Sequence, residues 1–379
     1  MMPTLSRHHR ALVLSAAACC VLITLPTKIC ANPEGGADVP SIRVAPAPRS
    51  IAEQLRLADD YMAGNGVQQD AKMAAFWYEK AAHAGDPRAQ VAMGYFYETG
   101  IGVEKNPERA ANWYQLASSG GSLLAKVNLG VTYLWGIGVP KNEQLAFSLI
   151  HEAATRGSGL AACYLGDFYA FGYAVPQDKS KAEQWYRKGA SLHDPIAEFD
   201  LGTMLMKAGS GKQNLPAAAK LLRLSAAAGY VPAKHSLGLL LVRNPSLAQF
   251  PGEALGVLND AAAAGNWKSS VLLGIMSRDG SGVAADNEAA YYHFRVATLQ
   301  GGADATQLVA NDLRLLSAKL PPGRAPAVDF EANQWYSQHH FVLEFVNKEG
   351  GNWPGFPSFA VVAPDLGTHA AQLLTSRVN

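Results

Sequence analysis

Cysteine is scarce in this chain. There are four in 379 residues, at positions 19, 20, 30 and 163. Three of them fall in a leader-like N-terminal stretch. The body of the chain therefore holds Cys163 alone, which excludes a disulfide framework. Charge is scarce as well. Charged residues make up 17 % of the sequence, against roughly 25 % in ordinary soluble domains. The formal net charge is +1, so there is no basic footprint for nucleic acid. Catalytic signatures are also missing. No G-x-S-x-G occurs, and His151-Glu152 continues as Ala-Ala-Thr, which leaves a zinc-binding helix without its second histidine. His339 and His340 are adjacent, about 100° apart on a helix, and make poor co-ligands. The expectation is a chain with no cofactor, no metal and no catalytic set.

Residues 11–25 (ALVLSAAACCVLITL) form an uncharged apolar run behind Arg7, His8, His9 and Arg10. No later run is as long. A basic start, a short apolar core and a small residue at Ala31 read as a secretory signal peptide over residues 1–31. An uncleaved membrane anchor is the alternative, although the run is shorter than the ~20 residues a span requires. Cys19 follows three alanines but lacks the leucine a lipid-attachment box places before it, and Cys30 suits that box less well. Cleavage would remove Arg7, Arg10 and Lys28 and no acid, leaving a slight negative excess. Export is expected, to the periplasm first, with secretion or a lipid anchor as alternatives. Residues 32–49 are rich in proline and glycine and read as a linker.

From Ser50 the sequence falls into rows of 36 residues. Positions 94, 130, 166, 202, 238 and 274 are glycine and position 58 is alanine, each preceded by Leu or Met. Ala74, Ala110, Ala146, Ala182, Ala218, Ala254 and Ala290 make an unbroken column. Gly85, Gly121, Gly157, His193, Gly229, Gly265 and Gly301 make another. No insertion disturbs seven rows, so residues 50–301 are a repeat array. The glycine beside the leucine is expected to let helix backbones approach closely. The row-ending glycine suits the left-handed position that stops a helix. Asp86, Ser122, Ser158, Asp194 and Asn266 then cap the next first helix, and Asp70, Asn106, Asn142, Asp178, Asn214 and Asp286 cap the second. Ser50 and Glu53 form a capping box. The turn within a row is Gly-x-Gly-Val, as at Gly100–Val103. The aromatic pairs Trp77-Tyr78, Trp113-Tyr114 and Trp185-Tyr186 read as core between repeats.

Residues 93–121 carry the pattern most fully, in Met93-Gly94, Tyr97, Gly100, Gly102, Val103, Ala110, Trp113-Tyr114 and Ala117. This resembles the Sel-1-like repeat family, a relative of the tetratricopeptide repeat, over about residues 50–318. The resemblance implies an all-α, right-handed α/α solenoid of helix-turn-helix units. It also implies an adaptor for other proteins, often exported in bacteria. A cysteine-rich branch of the family is linked to β-lactam hydrolysis, but its paired cysteines are absent here. Rows five and six depart from the pattern. Ala208 and Asn244 replace the first turn glycine, Gly211 and Leu247 replace the valine, and Phe250-Pro251-Gly252 replaces a cap, so altered loops are expected. Residues 302–340 read as capping helices. Residues 341–379, with Trp353–Phe359, do not fit the repeat and read as a tail that folds back or docks.

The resemblance further implies that first helices line a concave groove. The residue after the column glycine, and those four and five after it, then point inward. That selects Tyr95, Glu98, Leu134, Trp135, Asp167 and Phe171 as the partner-binding groove. The function expected is a non-catalytic protein–protein scaffold or adaptor in the bacterial cell envelope. The alternatives are an envelope hydrolase acting on cell-wall or β-lactam substrates, and a polysaccharide-binding module.

Overall fold

The computed structural model describes residues 50–207 and 213–348, with side chains through residue 338. The signal-peptide and linker expectations, the row-five loop and the Trp353–Phe359 stretch lie outside the described residues. Among the described residues the secondary structure is entirely helical. Seven antiparallel pairs follow one another: α1 (Ile51–Ala63) with α2 (Ala71–His83), α3 (Pro87–Thr99) with α4 (Pro107–Ser119), α5 (Leu123–Trp135) with α6 (Glu143–Thr155), and α7 (Gly159–Phe171) with α8 (Lys179–Ser191). Then come α9 (Pro195–Met206) with α10 (Leu215–Ala227), α11 (Val231–Arg243) with α12 (Glu253–Ala263), and α13 (Trp267–Asp279) with the first part of α14 (Asn287–Ser317). Each helix packs on the one before and the one after it. The result is the α/α solenoid the repeat requires, with its core spread along the array.

Local chemistry explains the regularity. Every second-helix cap named above accepts backbone N–H bonds through its side chain, from Asp70 to Asp286. The Ser50–Glu53 capping box closes α1, and Pro87 and Pro195 occupy first-turn positions. The column glycine has a role beyond the one expected. The second helix's backbone comes close at two of these positions, with Ala146 O 3.3 Å from a Cβ on Gly130 and Ala218 O 3.5 Å from one on Gly202. The column glycine also opens a slot for one side chain of the second helix. A Cβ on Gly94 would lie 2.3 Å from the Tyr114 ring, and on Gly166 2.3 Å from the Tyr186 ring. Ile150, Leu222, Leu258 and Phe294 fill the equivalent slots in other repeats.

The sixth repeat has the altered loop expected of it. A short 3-10 turn at Pro245–Leu247 precedes α12, whose N-cap is Gly252 and not an Asn or Asp side chain. Arg223 of α10 compensates. Its guanidinium forks onto Glu253 at 2.5 and 3.0 Å and donates to Leu247 O at 2.6 Å. This holds the buried Glu253 carboxyl below the usual glutamate range. At the C-terminal end, α14 breaks at Gly302, whose backbone is non-helical. The capping helix α15 (Arg324–Lys348) runs past residue 340, where the sequence reading ended it.

Candidate interaction surface

The structure divides the six groove residues into two sets. Tyr95, Glu98, Leu134 and Asp167 are buried, at 6, 9, 2 and 2 % exposure. Their assignment to an open groove is therefore corrected. The cause is the tightness of the array. Helix α7, which carries Asp167, touches α9, the first helix of the next repeat, directly. Tyr95 belongs to the core of the first repeats and Leu134 to that of the third and fourth.

The two buried acids have an internal task. The Tyr114 hydroxyl donates to Glu98 Oε2 at 2.8 Å, and the Tyr186 hydroxyl donates to Asp167 Oδ1 at 2.6 Å. Tyr78 pairs with Asp59 in the same way. Tyr114 and Tyr186 fill glycine slots and meet a carboxylate beyond them, while Tyr78 reaches Asp59 in a repeat whose column residue is Ala58. Burial and the adjacent carboxylate push the Tyr114 and Tyr186 hydroxyls well above the ordinary phenol value, so both remain donors. A signal for this was present in the sequence. Rows with tyrosine at this second-helix position carry an acid at Asp59, Glu98 or Asp167, whereas rows with Ile150, Leu222, Leu258 or Phe294 do not.

Trp135 and Phe171 reach the surface. Trp135 is half-buried and Phe171 is 44 % exposed. Tyr173, which sequence reasoning passed over, joins them. Its ring lies 5.7 Å from Trp135, edge-on, and 5.7 Å from Phe171. Phe168, fully buried beneath, lies 6.0 Å from Tyr173 and anchors the patch to the core. The turn carrying Tyr173 is itself irregular. In the second and third repeats the second turn glycine presses on the preceding repeat: a Cβ on Gly102 would lie 2.1 Å from Ala71 O. The fourth repeat has Ala174 there, in the left-handed region at φ 55°, with its N–H donating to Glu143 Oε2 at 3.2 Å. The aromatic patch is thus presented by a turn unlike its neighbours.

Two open clefts lie elsewhere. One, of about 580 Å³, is lined by His83, Tyr97, Arg109, Trp113 and Leu116 between the first two repeats. The other, of about 530 Å³, is acidic and lies between α14 and α15, with Glu288, Glu331 and Trp335 in its walls. Among the described residues no group of three or more His, Cys, Asp or Glu is arranged to hold a metal ion. No described helix is long and apolar enough to cross a membrane. His235 Nδ1 lies 2.9 Å from Ser269 Oγ, which has the spacing of a base and a nucleophile. Ser269 is fully buried, however, and its backbone N–H bonds Asn266, the cap of α13. The contact ties two repeats together. The Cys163 thiol is buried and pushed up by that burial, which leaves it unreactive.

A stack of capped helix pairs with small-residue contacts and an aromatic patch on one turn defines the class: a helical solenoid of the kind that presents surfaces. The Sel1 repeat model matches residues 54–86, 87–122, 123–158, 159–194, 195–230 and 268–302. The chain belongs to the Sel1 repeat family. The segment the model passes over contains the irregular loop of the sixth repeat, which the structure nevertheless folds as the pair α11–α12. A Sel1 repeat protein from Oxalobacter formigenes is 26 % identical, over 69 % of this chain and 76 % of that one, with TM-score 0.50. A protective antigen of uropathogenic Escherichia coli strains with an SLR fold is 24 % identical over 79 % of this chain and 71 % of that one, TM-score 0.41. An immunity protein from Pseudomonas aeruginosa is 19 % identical over 64 and 88 %, TM-score 0.35. No curated protein matches the chain. Sel1 repeats generally mediate protein–protein contacts and typically form non-enzymatic scaffolds.

Proposed function

We propose that this protein is a non-catalytic scaffold of the bacterial cell envelope that binds a partner protein through the patch of Trp135, Phe171 and Tyr173. The observation that carries the reading is that patch. Tyr173 packs on the buried Phe168, and Trp135 and Phe171 flank it with partly accessible rings. Large aromatics of this kind anchor interfaces at little entropic cost. The chemistry suits an exposed apolar segment of a protein. The envelope setting rests on the basic start, the apolar run at residues 11–25 and the small residue at Ala31.

The experiment is capture of partners by tagged protein from its native cells, comparing the natural chain with Trp135→Ala/Phe171→Ala. The expected result is loss of specific partners with the helical circular dichroism signal retained. Unchanged capture by the double variant would remove the patch from the interface. Location is tested separately by fractionation, with export and cleavage expected, and a full-length cytoplasmic product refuting the envelope reading.

A further inference from the structure

The departures of the fourth repeat converge on its joint with the fifth. Gly189 of α8 stands where five other repeats have alanine. A Cβ there would lie 2.5 Å from Ala197 Cβ of α9 and 3.0 Å from Gly159 O of α7. The three helices meet closely, and α7 touches α9 directly. The turn from α8 to α9 carries His193 at φ 56°, in the left-handed region where the other repeats place glycine.

Two carboxylates are enclosed in this joint. Asp167 of α7 is 2 % exposed and Asp200 of α9 is 4 % exposed. Cys163 lies one helical turn before Asp167, and its thiol donates to Asp200 Oδ2 at 3.0 Å. Asp200 therefore faces the turn of α7 that carries Asp167. The Tyr186 hydroxyl from α8 donates to Asp167 Oδ1, and the Cys163 thiol donates to Asp200 Oδ2. Asp167 Oδ2 and Asp200 Oδ1 are buried with no hydrogen-bond partner. Two ionised carboxylates in so dry a place would each leave one buried oxygen without a donor and would repel each other.

The surrounding groups sharpen the point. Asp194, the cap of α9, adds negative potential at Asp200, and Lys207 at the far end of α9 is the cation that acts on it. Tyr230, which precedes α11, and Tyr164 of α7 face the cluster as neutral hydroxyls. Glu198 of α9 is itself raised by burial, with His193 opposing. Burial raises Asp167 from 3.8 to about 7. Burial and the charge of Asp167 raise Asp200 well above its ordinary value.

We propose that the joint between the fourth and fifth repeats is a proton-gated hinge: the folded joint keeps a proton on the Asp167 and Asp200 carboxyls, and its loss loosens α7 from α9 while the other repeats stay packed. The folded joint binds more protons than the opened one, so its stability falls as pH rises from the ordinary aspartate value toward the folded one. Each retained proton makes opening about tenfold more frequent per pH unit in that range.

The test is hydrogen exchange of the full chain between pH 5 and pH 8, read by mass spectrometry after correction for intrinsic exchange. Opening of α7 and α9 is expected to rise about tenfold per unit from pH 5 to 7, relative to α3 and α13. The double variant Asp167→Asn/Asp200→Asn, which keeps an acceptor for the Tyr186 hydroxyl and the Cys163 thiol, is expected to flatten that rise. Should the variant not fold, carboxyl carbon NMR of the natural chain decides the matter. A midpoint near neutrality at Asp167 is expected. Midpoints near 4 at both residues, or equal pH dependence in all four helices, would overturn the hinge.

Discussion

Gly166→Ala is the most demanding test of the slot geometry. Elsewhere in a helix the change is favourable by about 1 kcal/mol, because alanine loses less backbone freedom than glycine. Here the new Cβ would sit 2.3 Å from Tyr186 Cε1 and 2.4 Å from Cδ1. The ring must leave its slot, and overpacking of this kind costs about 1–3 kcal/mol. Displacement also takes the hydroxyl from Asp167, and a buried acceptor that loses its donor costs about 1–3 kcal/mol more. Less the propensity gain, the net loss is about 3 kcal/mol. Gly256 supplies the control. It lies within α12, is exposed, and a Cβ there meets nothing within 4 Å. Gly256→Ala should therefore stabilise by about 1 kcal/mol. The assay is urea unfolding followed by far-ultraviolet circular dichroism. Exchange at α7 reports local loss, since repeat arrays need not unfold in one step. A Gly166→Ala protein as stable as the natural chain would refute the slot, and the two variants moving in the same direction would refute the reasoning from space.

Tyr114→Phe should destabilise by about 1–2 kcal/mol, because it withdraws the hydroxyl that Glu98 accepts in the core; calorimetry showing no change would deny that bond a role. Arg223→Ala should cost about 3 kcal/mol and raise exchange in α12, since it strands the buried Glu253. The same ion pair gives an acid limit. Arg223 lowers the Glu253 pKa, so its contribution is present above the ordinary glutamate value and is lost as pH falls through the lower folded one. Loosening of the sixth repeat in acid, absent from Arg223→Ala, would be seen by exchange at low pH.

What could be read from the sequence was what is local. The caps from Asp70 to Asp286 and the stop at Gly85 or Gly121 depend on a few neighbouring residues, and the 36-residue spacing repeats them until the pattern is unambiguous. The burial of Tyr95, Glu98, Leu134 and Asp167 was hidden because it depends on how far one repeat turns relative to the next. Tyr173 was missed because it occupies a turn position that holds Asn65, Ile101 or Ile137 elsewhere. Its role comes from Trp135, a full repeat away in sequence and 5.7 Å away in space.

The most direct measurement is photo-cross-linking in the native cells from a reactive amino acid placed at Tyr173. Lys220, an exposed residue of α10, serves as the control position. A small set of proteins joined at position 173, absent at 220 and lost with Trp135→Ala, is the result expected of a scaffold that binds through this patch. No adduct at 173, or the same adducts from both positions, would contradict it.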